Sequence, residues 1–386
     1  MIRINIKFLV FIIIITMFAY SSGGNLPYTV FYAGVLVLVG GLIHITIQRI
    51  TMGINLDIAD KVFKTGDVLS LNIIVKSFSA LPAGYIVVEN GAIPNFEKNF
   101  KGDIAFLNYH EEKNFTNELK IKIRGVYDFS VTNVLFTDLF CIMTVKKTFV
   151  QSKLVKVYPK IHRINEKNFN GKNILKNSFR NTKISEDSNE IRDLRLYREG
   201  DSLKRVHWKL SAKHNELYVK NFVEVASKDT NIILNMNKGK GIQENYDLVE
   251  EQMMELAVSL INYLQTKKFK IKLFINNEKD RIFTIENQNE FELLMEYLVN
   301  NKSQGNVNLV NFLNSKANIL KPGTWLGIVT IEVDEALVEA VKTIVKTGFK
   351  ISIFYYNDNH LDVIKEQNVK GLEFIEYKKA IFSLNE

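Results

Sequence analysis

The segment 194–213, LRLYREGDSLKRVHWKLSAK, concentrates the side chains of this sequence that could bind or transform a charged ligand. Its cations surround a Gly-Asp turn and one of the two tryptophans of the chain. Arginine donates paired hydrogen bonds to phosphate or carboxylate, and an exposed tryptophan can stack on a base. The candidates for contact with an anion or a partner are Arg195, Arg198, Asp201, Arg205, Trp208 and Lys209.

The residue pattern of this segment also predicts its local structure. NEIRDLRLY alternates like a strand, REGD forms a turn, and Asp201 suits the N-cap of a helix over SLKRVHWKLSAK. A second strand, LYVKNF, follows the helix. Such a unit would present cations near a helix N-terminus, where backbone N–H groups also favour anions.

Four roles are compatible with the cluster. Its cations could bind an anion or a protein partner, or could bind nucleic acid with Trp208 as a stacking surface. Hydrolysis would depend on His207, Ser211 and Asp201, and no oxyanion donor accompanies them. A purely structural role is the fourth, with Trp208 filling a contact between domains. In that case the arginines would form ion pairs with the neighbouring acids Glu190, Asp193, Glu199 and Asp201.

The positive charge of the chain lies in the segment that carries the cluster. The 386 residues have a net charge of +8, and residues 151–222 contain seventeen Lys and Arg against eight Asp and Glu. The rest of the chain is therefore close to neutral. A single cysteine, Cys141, excludes an internal disulfide and a cysteine-based metal site. The chain length predicts two or three domains.

Residues 1–50 predict a transmembrane hairpin. The apolar stretches 8–20 and 28–47, with their flanks, approach the roughly 20 residues that span a bilayer as a helix. Lys and Arg flank the two outer ends and are absent from the SSGGNLP loop, which predicts both termini on the cytoplasmic side. We expect a multi-pass protein of the cell membrane with cytoplasmic soluble domains. Cleavage of the first stretch as a signal peptide is the alternative.

The remaining chain divides into three segments. Residues 54–150 contain short alternating stretches such as VLSLNIIVKS, which predict a β-sandwich-like domain. Residues 151–222 predict a basic linker that ends in the cluster. From 228 to 386, apolar stretches such as NIILNM and KIKLFIN alternate with amphipathic helices, which predicts an α/β domain with a mostly parallel sheet.

A parallel sheet binds ligands at the carboxyl ends of its strands. NMNKGKG follows the first strand of this domain, and TIEVDE follows the third. A divalent cation prefers carboxylate oxygens, whereas the first loop offers amides and lysines. Its glycines also lack the spacing of a nucleotide-binding loop. We therefore expect neither a cofactor nor a metal there.

The cluster resembles the signature of the domain-of-unknown-function 58 family. The matching positions are Arg195, Tyr197, Gly200, Asp201, Arg205, Trp208, Ser211, Ala212 and Lys213. The two N-terminal apolar stretches and the segments RGVYDFS, TDLFCIM and VYP fit the same family. Leu139 and Cys141 depart from the usual D-P-F-G of that family, which concerns a turn more than chemistry.

The resemblance implies a von Willebrand factor type A-like (Rossmann-like) domain at the carboxyl end. The metal motif of such domains, D-x-S-x-S, falls on Asn235, Asn237 and Gly239, so the resemblance implies a degenerate metal site. The family is commonly encoded beside MoxR-type AAA+ ATPases, and sometimes beside transglutaminase-like membrane proteins. It therefore implies a membrane-anchored adaptor or assembly factor that works with such an ATPase. We expect the protein to be non-enzymatic, to recruit the ATPase and to bind no nucleic acid. The alternative is an enzyme or anion-binding protein that acts on envelope or phosphorylated substrates through the basic cluster.

Overall fold

The computed structural model of the chain describes residues 2–164, 191–199, 201–203, 206–222, 229–238, 246–320, 324–356 and 371–381. It consists of two compact units. The first is Met1–Pro159 with Leu298–Asn300, and the second is Lys160–Tyr297 with Asn301–Glu386. Residues 165–190 of the predicted linker lie outside the described residues, as do Gly200, Arg205 and Gly239 of the family positions.

The helices of the described residues are numbered in chain order. They are α1 (Ile6–Ser22), α2 (Asn25–Thr51), α3 (Trp208–His214), α4 (Tyr246–Thr266), α5 (Gln288–Asn300), α6 (Leu309–Lys316), α7 (Glu335–Lys346) and α8 (Tyr377–Ala380).

The strands of the first unit are β1 (Ile2–Ile4), β2 (Met52–Ile58), β3 (Phe63–Lys64), β4 (Val68–Ser77), β5 (Ala83–Asn90), β6 (Asp103–Leu107), β7 (Glu112–Lys120), β8 (Gly125–Asp128), β9 (Val131–Thr137), β10 (Met143–Val150) and β11 (Leu154–Tyr158). Those of the second are β12 (Ile191–Leu196), β13 (Tyr218–Phe222), β14 (Asp229–Asn235), β15 (Lys270–Asn276), β16 (Arg281–Ile285), β17 (Trp325–Val329), β18 (Lys350–Tyr355) and β19 (Leu372–Glu376).

The first unit begins with two apolar helices that pack together. Among the described residues, α2 is the one helix long and apolar enough to cross a membrane by length and composition. Of the two predicted spans, this criterion shows the second; α1 is an apolar helix of 17 residues, shorter than a span of that kind. It ends there because Gly23 and Gly24 both have positive φ, which breaks the helix. At Gly34 of α2, a Cβ atom would lie 2.8 Å from Ile12 Cδ1, so the glycine allows the close approach of α1.

The β-strands of the first unit form two larger sheets and a smaller one. The order is β1-β10-β9-β5-β6 in the five-stranded sheet, β2-β4-β7 in the second and β3-β11-β8 in the third. Along β4 every second side chain is buried, as the two-residue period of a strand requires. The buried side chains of β4, β5 and β9 belong to one hydrophobic cluster, so the two larger sheets share a core.

Both ends of the α1–α2 hairpin are fixed in this core unit. Before α1, strand β1 pairs antiparallel with β10 in the register Ile2↔Val145 and Ile4↔Met143. After α2, the chain continues at once into β2. The hairpin therefore leaves the β-sheets and returns to them.

The second unit contains a six-stranded sheet of order β16-β15-β14-β17-β18-β19. All neighbours are parallel except β16, which pairs antiparallel with β15. Counted along the chain from β14, the order is 3-2-1-4-5-6, that of a doubly wound α/β sheet. The central strand β17 is buried along its whole length, as expected for parallel strands covered on both faces. The strand order runs in opposite directions on the two sides of the β14–β17 pair, so the topological switch point of the sheet lies between these two strands.

Candidate functional site

The segment with the cationic cluster folds as a hairpin and a short helix, here named the signature unit (β12, the turn that follows it, α3 and β13). β12 and β13 are antiparallel in the register Leu194↔Lys220 and Leu196↔Tyr218. Because strand side chains alternate between faces, Leu194 and Leu196 lie on one face and Arg195 on the other. Val219, opposite Arg195, is buried.

Arg195 and Asp201 bind each other. The guanidinium donates two hydrogen bonds of 2.8 Å, Nη1 to Oδ2 and Nη2 to Oδ1, and the backbone N–H of Arg198 donates to Oδ2 at 2.8 Å. The hydrogen bond from Arg195, with that from Arg198, lowers the pKa of Asp201 from its ordinary 3.8 to about 2. The carboxylate is therefore charged at neutral pH and holds the turn closed. One of the ion pairs that the sequence suggested is present in the fold.

The helix of the signature unit begins later than predicted. Asp201 was predicted as its N-cap, but α3 begins at Trp208 and is capped by His207, whose Nδ1 accepts from the N–H of Leu210 at 3.2 Å. The reason is that the carboxylate of Asp201 is engaged by Arg195 and by the turn. At the other end of the unit, Ser211 Oγ accepts the N–H of Tyr218 at 2.8 Å. The side chains of His207, Ser211 and Asp201 therefore each accept a hydrogen bond from a backbone N–H, which does not favour a hydrolytic role.

The outer surface of the signature unit is apolar and basic. Trp208 is 63% exposed, which is unusual for so large an apolar side chain. Arg198, Lys209 and Lys213 are exposed as well. The exposed large apolar residues of the unit are Leu194, Leu196, Leu203, Trp208 and Leu217. The six predicted contact residues have three different outcomes. Arg195 and Asp201 bind each other and close the turn, whereas Arg198, Trp208 and Lys209 are exposed to solvent. Arg205 lies outside the described residues.

A second candidate lies at the switch point of the six-stranded sheet. A cavity of about 530 Å³ is lined by residues that follow β14 and β17 and by the segment before α6. Asn235 Nδ2 donates to Thr330 Oγ1 at 3.1 Å, and Asn276 Nδ2 donates to Asn235 Oδ1 at 3.1 Å. This chain of amides and a hydroxyl joins the ends of three neighbouring strands. The sequence placed Asn235 and Thr330 at this edge, but nothing in it indicated Asn276.

The side chains at this edge of the sheet do not form a ligand set that fits a divalent cation. Asn237 Nδ2 donates to the carbonyl oxygen of Val307, and Lys238 lines the cavity with a positive charge. Asp334 Oδ1 accepts the N–H of Leu337 at 2.8 Å and so caps α7. Among the described residues there is no group of three or more His, Cys, Asp and Glu side chains that could hold a metal. The amide groups of Asn235, Asn237 and Asn276 instead donate to neighbouring side chains and to the carbonyl oxygen of Val307.

Comparison with solved structures gives low similarity. The CARDB domain of a Pyrococcus furiosus protein with di-metal ions is 18% identical, with 28% of this chain and 91% of that one covered and a TM-score of 0.19. BatB, a conserved hypothetical protein from Bacteroides thetaiotaomicron, is 12% identical, with 38% and 89% covered and a TM-score of 0.27. A β-glucosidase from Listeria innocua is 15% identical, with 28% and 16% covered and a TM-score of 0.16.

The comparison with protein families gives a more specific result. No curated protein matches the chain. Residues 193–316 match a family model described as "Protein of unknown function DUF58". The matched range begins in β12 and contains the whole of the turn, α3 and β13. The match supports the domain-of-unknown-function 58 family, which the residues of the signature unit indicate.

Proposed function

We propose that this protein is a membrane-anchored, non-enzymatic adaptor that binds a cytoplasmic protein partner through the signature unit. The exposure of Trp208 carries the proposal. Tryptophan and arginine are the residues that contribute most often to the binding energy of protein interfaces. Here an exposed tryptophan is the first residue of α3, in the same unit as the turn whose polar groups, Arg195 and Asp201, are bound to each other. Its backbone belongs to a helix, and most of its side chain is free for contact with a partner.

The charges around Trp208 favour an acidic partner. Exposed cations on the same unit, Arg198, Lys209 and Lys213, would attract a surface rich in Asp and Glu and would repel a basic one. The partner surface would combine an apolar pocket for the indole with an acidic rim. We propose a MoxR-type AAA+ ATPase as this partner, on the resemblance of the signature segment. A transglutaminase-like membrane protein would be a further component of the same assembly.

The attachment of both ends of the α1–α2 hairpin to the first unit supports two membrane crossings. α2 has the length of a span, and both ends of the hairpin continue into β-strands of the first unit, β1 and β2, so a chain that crosses along α2 would return along α1. The Gly23–Gly24 turn would then lie on the opposite side of the bilayer. With cations only at the outer flanks, the β-sheets and the second unit would be cytoplasmic.

The topologies of the two units support the finer fold assignments. Two antiparallel sheets with a common core are typical of a β-sandwich. A doubly wound sheet of order 3-2-1-4-5-6 is compatible with a von Willebrand factor type A-like domain. In this proposal the second unit presents the signature unit, and the first unit connects it to the membrane anchor.

Affinity capture tests the proposal. The full chain, extracted from its own cells in mild detergent with and without ATP, would be compared with Trp208→Ala and with Leu293→Ala by mass spectrometry. Leu293 is a matched control, because it is also 63% exposed but lies on α5, outside the signature unit. We expect wild type and Leu293→Ala to recover an AAA+ ATPase in a nucleotide-dependent way, and Trp208→Ala to lose it. Absence of any ATPase from the wild-type sample would contradict the partner assignment.

A further inference from the structure

The loop 138–142, between β9 and β10, presents two large apolar side chains to solvent. Leu139 is 53% exposed and Phe140 is 58% exposed. The loop is held by the buried carboxylate of Asp138, which accepts the N–H groups of Phe140 at 3.2 Å, Ile142 at 2.8 Å and Met143 at 2.6 Å. Because three hydrogen bonds converge on one side chain, the loop has a defined shape that projects Leu139 and Phe140 outward.

The loop contacts the residue immediately before α1 and a position within α2. The backbone N–H of Asn5, immediately before α1, donates to the carbonyl oxygen of Ile142 at 2.7 Å. On α2, a Cβ atom at Gly41 would lie 3.2 Å from Asp138 Oδ2. The loop therefore lies beside the hairpin at the level of Asn5 and Gly41.

Further along α2, two buried polar side chains fix the β-sheets to the helix. Nε2 of His44 lies 2.8 Å from the carbonyl oxygen of Pro82, and Gln48 Nε2 donates to the carbonyl oxygen of Leu81 at 3.0 Å. Nearer the tip, Phe8, Val37 and Leu38 pack against the core of the first unit. The position of the loop relative to the hairpin is thus determined by contacts on both helices.

The lengths of the two helices give the depth of the loop. From the Gly23–Gly24 turn to the loop there are 17 residues along α1 and the same number along residues 25–41 of α2, about 26 Å at 1.5 Å per residue. The hydrocarbon core of a bilayer is about 30 Å thick. Even if the turn lies at the far boundary of that core, the loop lies several ångströms inside the near boundary.

We propose that Leu139 and Phe140 insert into the near leaflet of the bilayer, so that the first unit is docked on the membrane by its loop as well as by the hairpin. This inference rests on the proposed membrane anchoring. The occupant of the apolar surface is lipid acyl chain, because the surface is continuous with the hairpin and lies at membrane depth. It explains why two large apolar side chains are exposed beside the anchor.

The only cysteine of the chain, Cys141, is exposed in the same loop and provides the probe. The full chain would be labelled there with an NBD fluorophore and placed in nanodiscs of phosphatidylcholine and phosphatidylglycerol, where both faces are open to solvent. Lipid with a doxyl group near the top of the acyl chain and aqueous iodide serve as quenchers. We expect at least twofold quenching by the lipid, little quenching by iodide, and blue-shifted emission.

A matched control uses a cysteine at the other end of β10. Val150 is 73% exposed, and its strand runs away from the hairpin tip, since Lys147 Nζ donates to the carbonyl oxygens of Arg49 at 2.6 Å and Met52 at 3.1 Å. Val150 lies about 23 Å beyond Met143 along the strand. In Cys141→Ser/Val150→Cys we expect quenching by iodide and not by lipid. If the probe at Cys141 behaves like the probe at 150, the inference is wrong.

A third position separates failure of this inference from failure of the anchoring. Met17, 69% exposed on α1, is changed to cysteine in Cys141→Ser. Lipid quenching at 17 without lipid quenching at 141 would overturn the loop insertion alone. Loss of lipid quenching at both positions would overturn the anchoring and the insertion together. In Leu139→Ser/Phe140→Ser, we expect the lipid quenching at Cys141 to fall at least twofold, and unchanged quenching would contradict the role of these two side chains.

Discussion

Trp208→Ala is the substitution that tests the adaptor proposal most directly. The exposed 63% of a side chain of roughly 250 Å² leaves about 150 Å² for a partner to cover. At about 25 cal/mol per Å², covering this area contributes at most about 4 kcal/mol of binding free energy. Alanine substitutions at interface hot spots cost about 2 kcal/mol or more. We therefore expect the dissociation constant for the partner to rise by about 30-fold to 700-fold.

The same substitution should leave the fold unchanged, because Trp208 is exposed. Its effect on the free energy of unfolding should be within about 0.5 kcal/mol. Trp325 is the opposite case: it is 3% exposed, and its Nε1 donates to Ser352 Oγ at 3.0 Å. Trp325→Phe should therefore lower the free energy of unfolding by about 1–3 kcal/mol, since it leaves a buried hydroxyl without its donor.

The dissociation constant and the stability together decide whether Trp208 acts in recognition or in folding. Biolayer interferometry of the nanodisc-embedded chain against the purified ATPase gives the dissociation constant, and urea unfolding followed by circular dichroism gives the stability. Iodide quenching of intrinsic fluorescence reports which tryptophan is accessible, and the accessible fraction should vanish in Trp208→Ala. Unchanged affinity in a folded Trp208→Ala variant would refute the recognition role. A loss of more than about 2 kcal/mol of stability would instead assign the indole to the structure.

Two further substitutions test the framework around these sites. Because folding lowers the pKa of Asp201 from 3.8 to about 2, its charged form stabilises the turn above about pH 4, and this stabilisation is lost as the pH falls towards 2. Asp201→Asn should remove this acid-dependent step and speed hydrogen exchange in the turn held by Arg195, and an unchanged acid profile would contradict the pairing. Gly84→Ala should destabilise the first unit by about 1–3 kcal/mol, because the new Cβ would lie 2.3 Å from the carbonyl oxygen of Thr137. Gly91→Ala, whose Cβ would make contacts of 3.5 Å or more, is the control, and equal stability of the two variants would show that the backbone relaxes.

Regular patterns in the sequence were sufficient for the coarse architecture. Alternation along VLSLNIIVKS predicted a half-buried strand, and β4 shows that burial pattern. The apolar run NIILNM predicted a strand of the α/β domain, and β14 is buried at its five central positions. These predictions succeed because period and hydrophobicity are local properties that the packed sheet preserves. The length of α1 was not predicted in the same way, since the stretch 8–20 with its flanks was expected to span the bilayer and α1 has 17 residues.

Contacts between distant residues could not be predicted in the same way. Nothing in the first residues indicates that β1 pairs with β10, about 140 residues later in the chain. The polar contacts of His44 and Gln48 with the loop before β5 are equally non-local. These contacts determine how the anchor meets the β-sheets, and they are also the basis for the depth of the loop 138–142.

The start of α3 shows how one side-chain contact overrides a local pattern. Asp201 followed by a helix-forming segment favours an N-cap, whereas the neighbouring arginines make an ion pair the alternative use of its carboxylate. Six residues upstream, however, the side chain of Arg195 reaches the carboxylate across the turn and binds both of its oxygens. A charge-assisted, two-point hydrogen bond is stronger than a single cap, so the turn persists and the helix begins at Trp208.

The family positions of the signature unit divide into two groups with different physical roles. Arg195, Asp201 and Ser211 make hydrogen bonds within the unit that close the turn and hold β13. Trp208 does not share them and remains mostly in solvent. A residue kept only for folding would be expected to lie in the core, because burying an indole removes a large apolar area from water. An exposed indole at the start of α3 gains that free energy only when another surface covers it, and this is the physical reason to look for the function at Trp208.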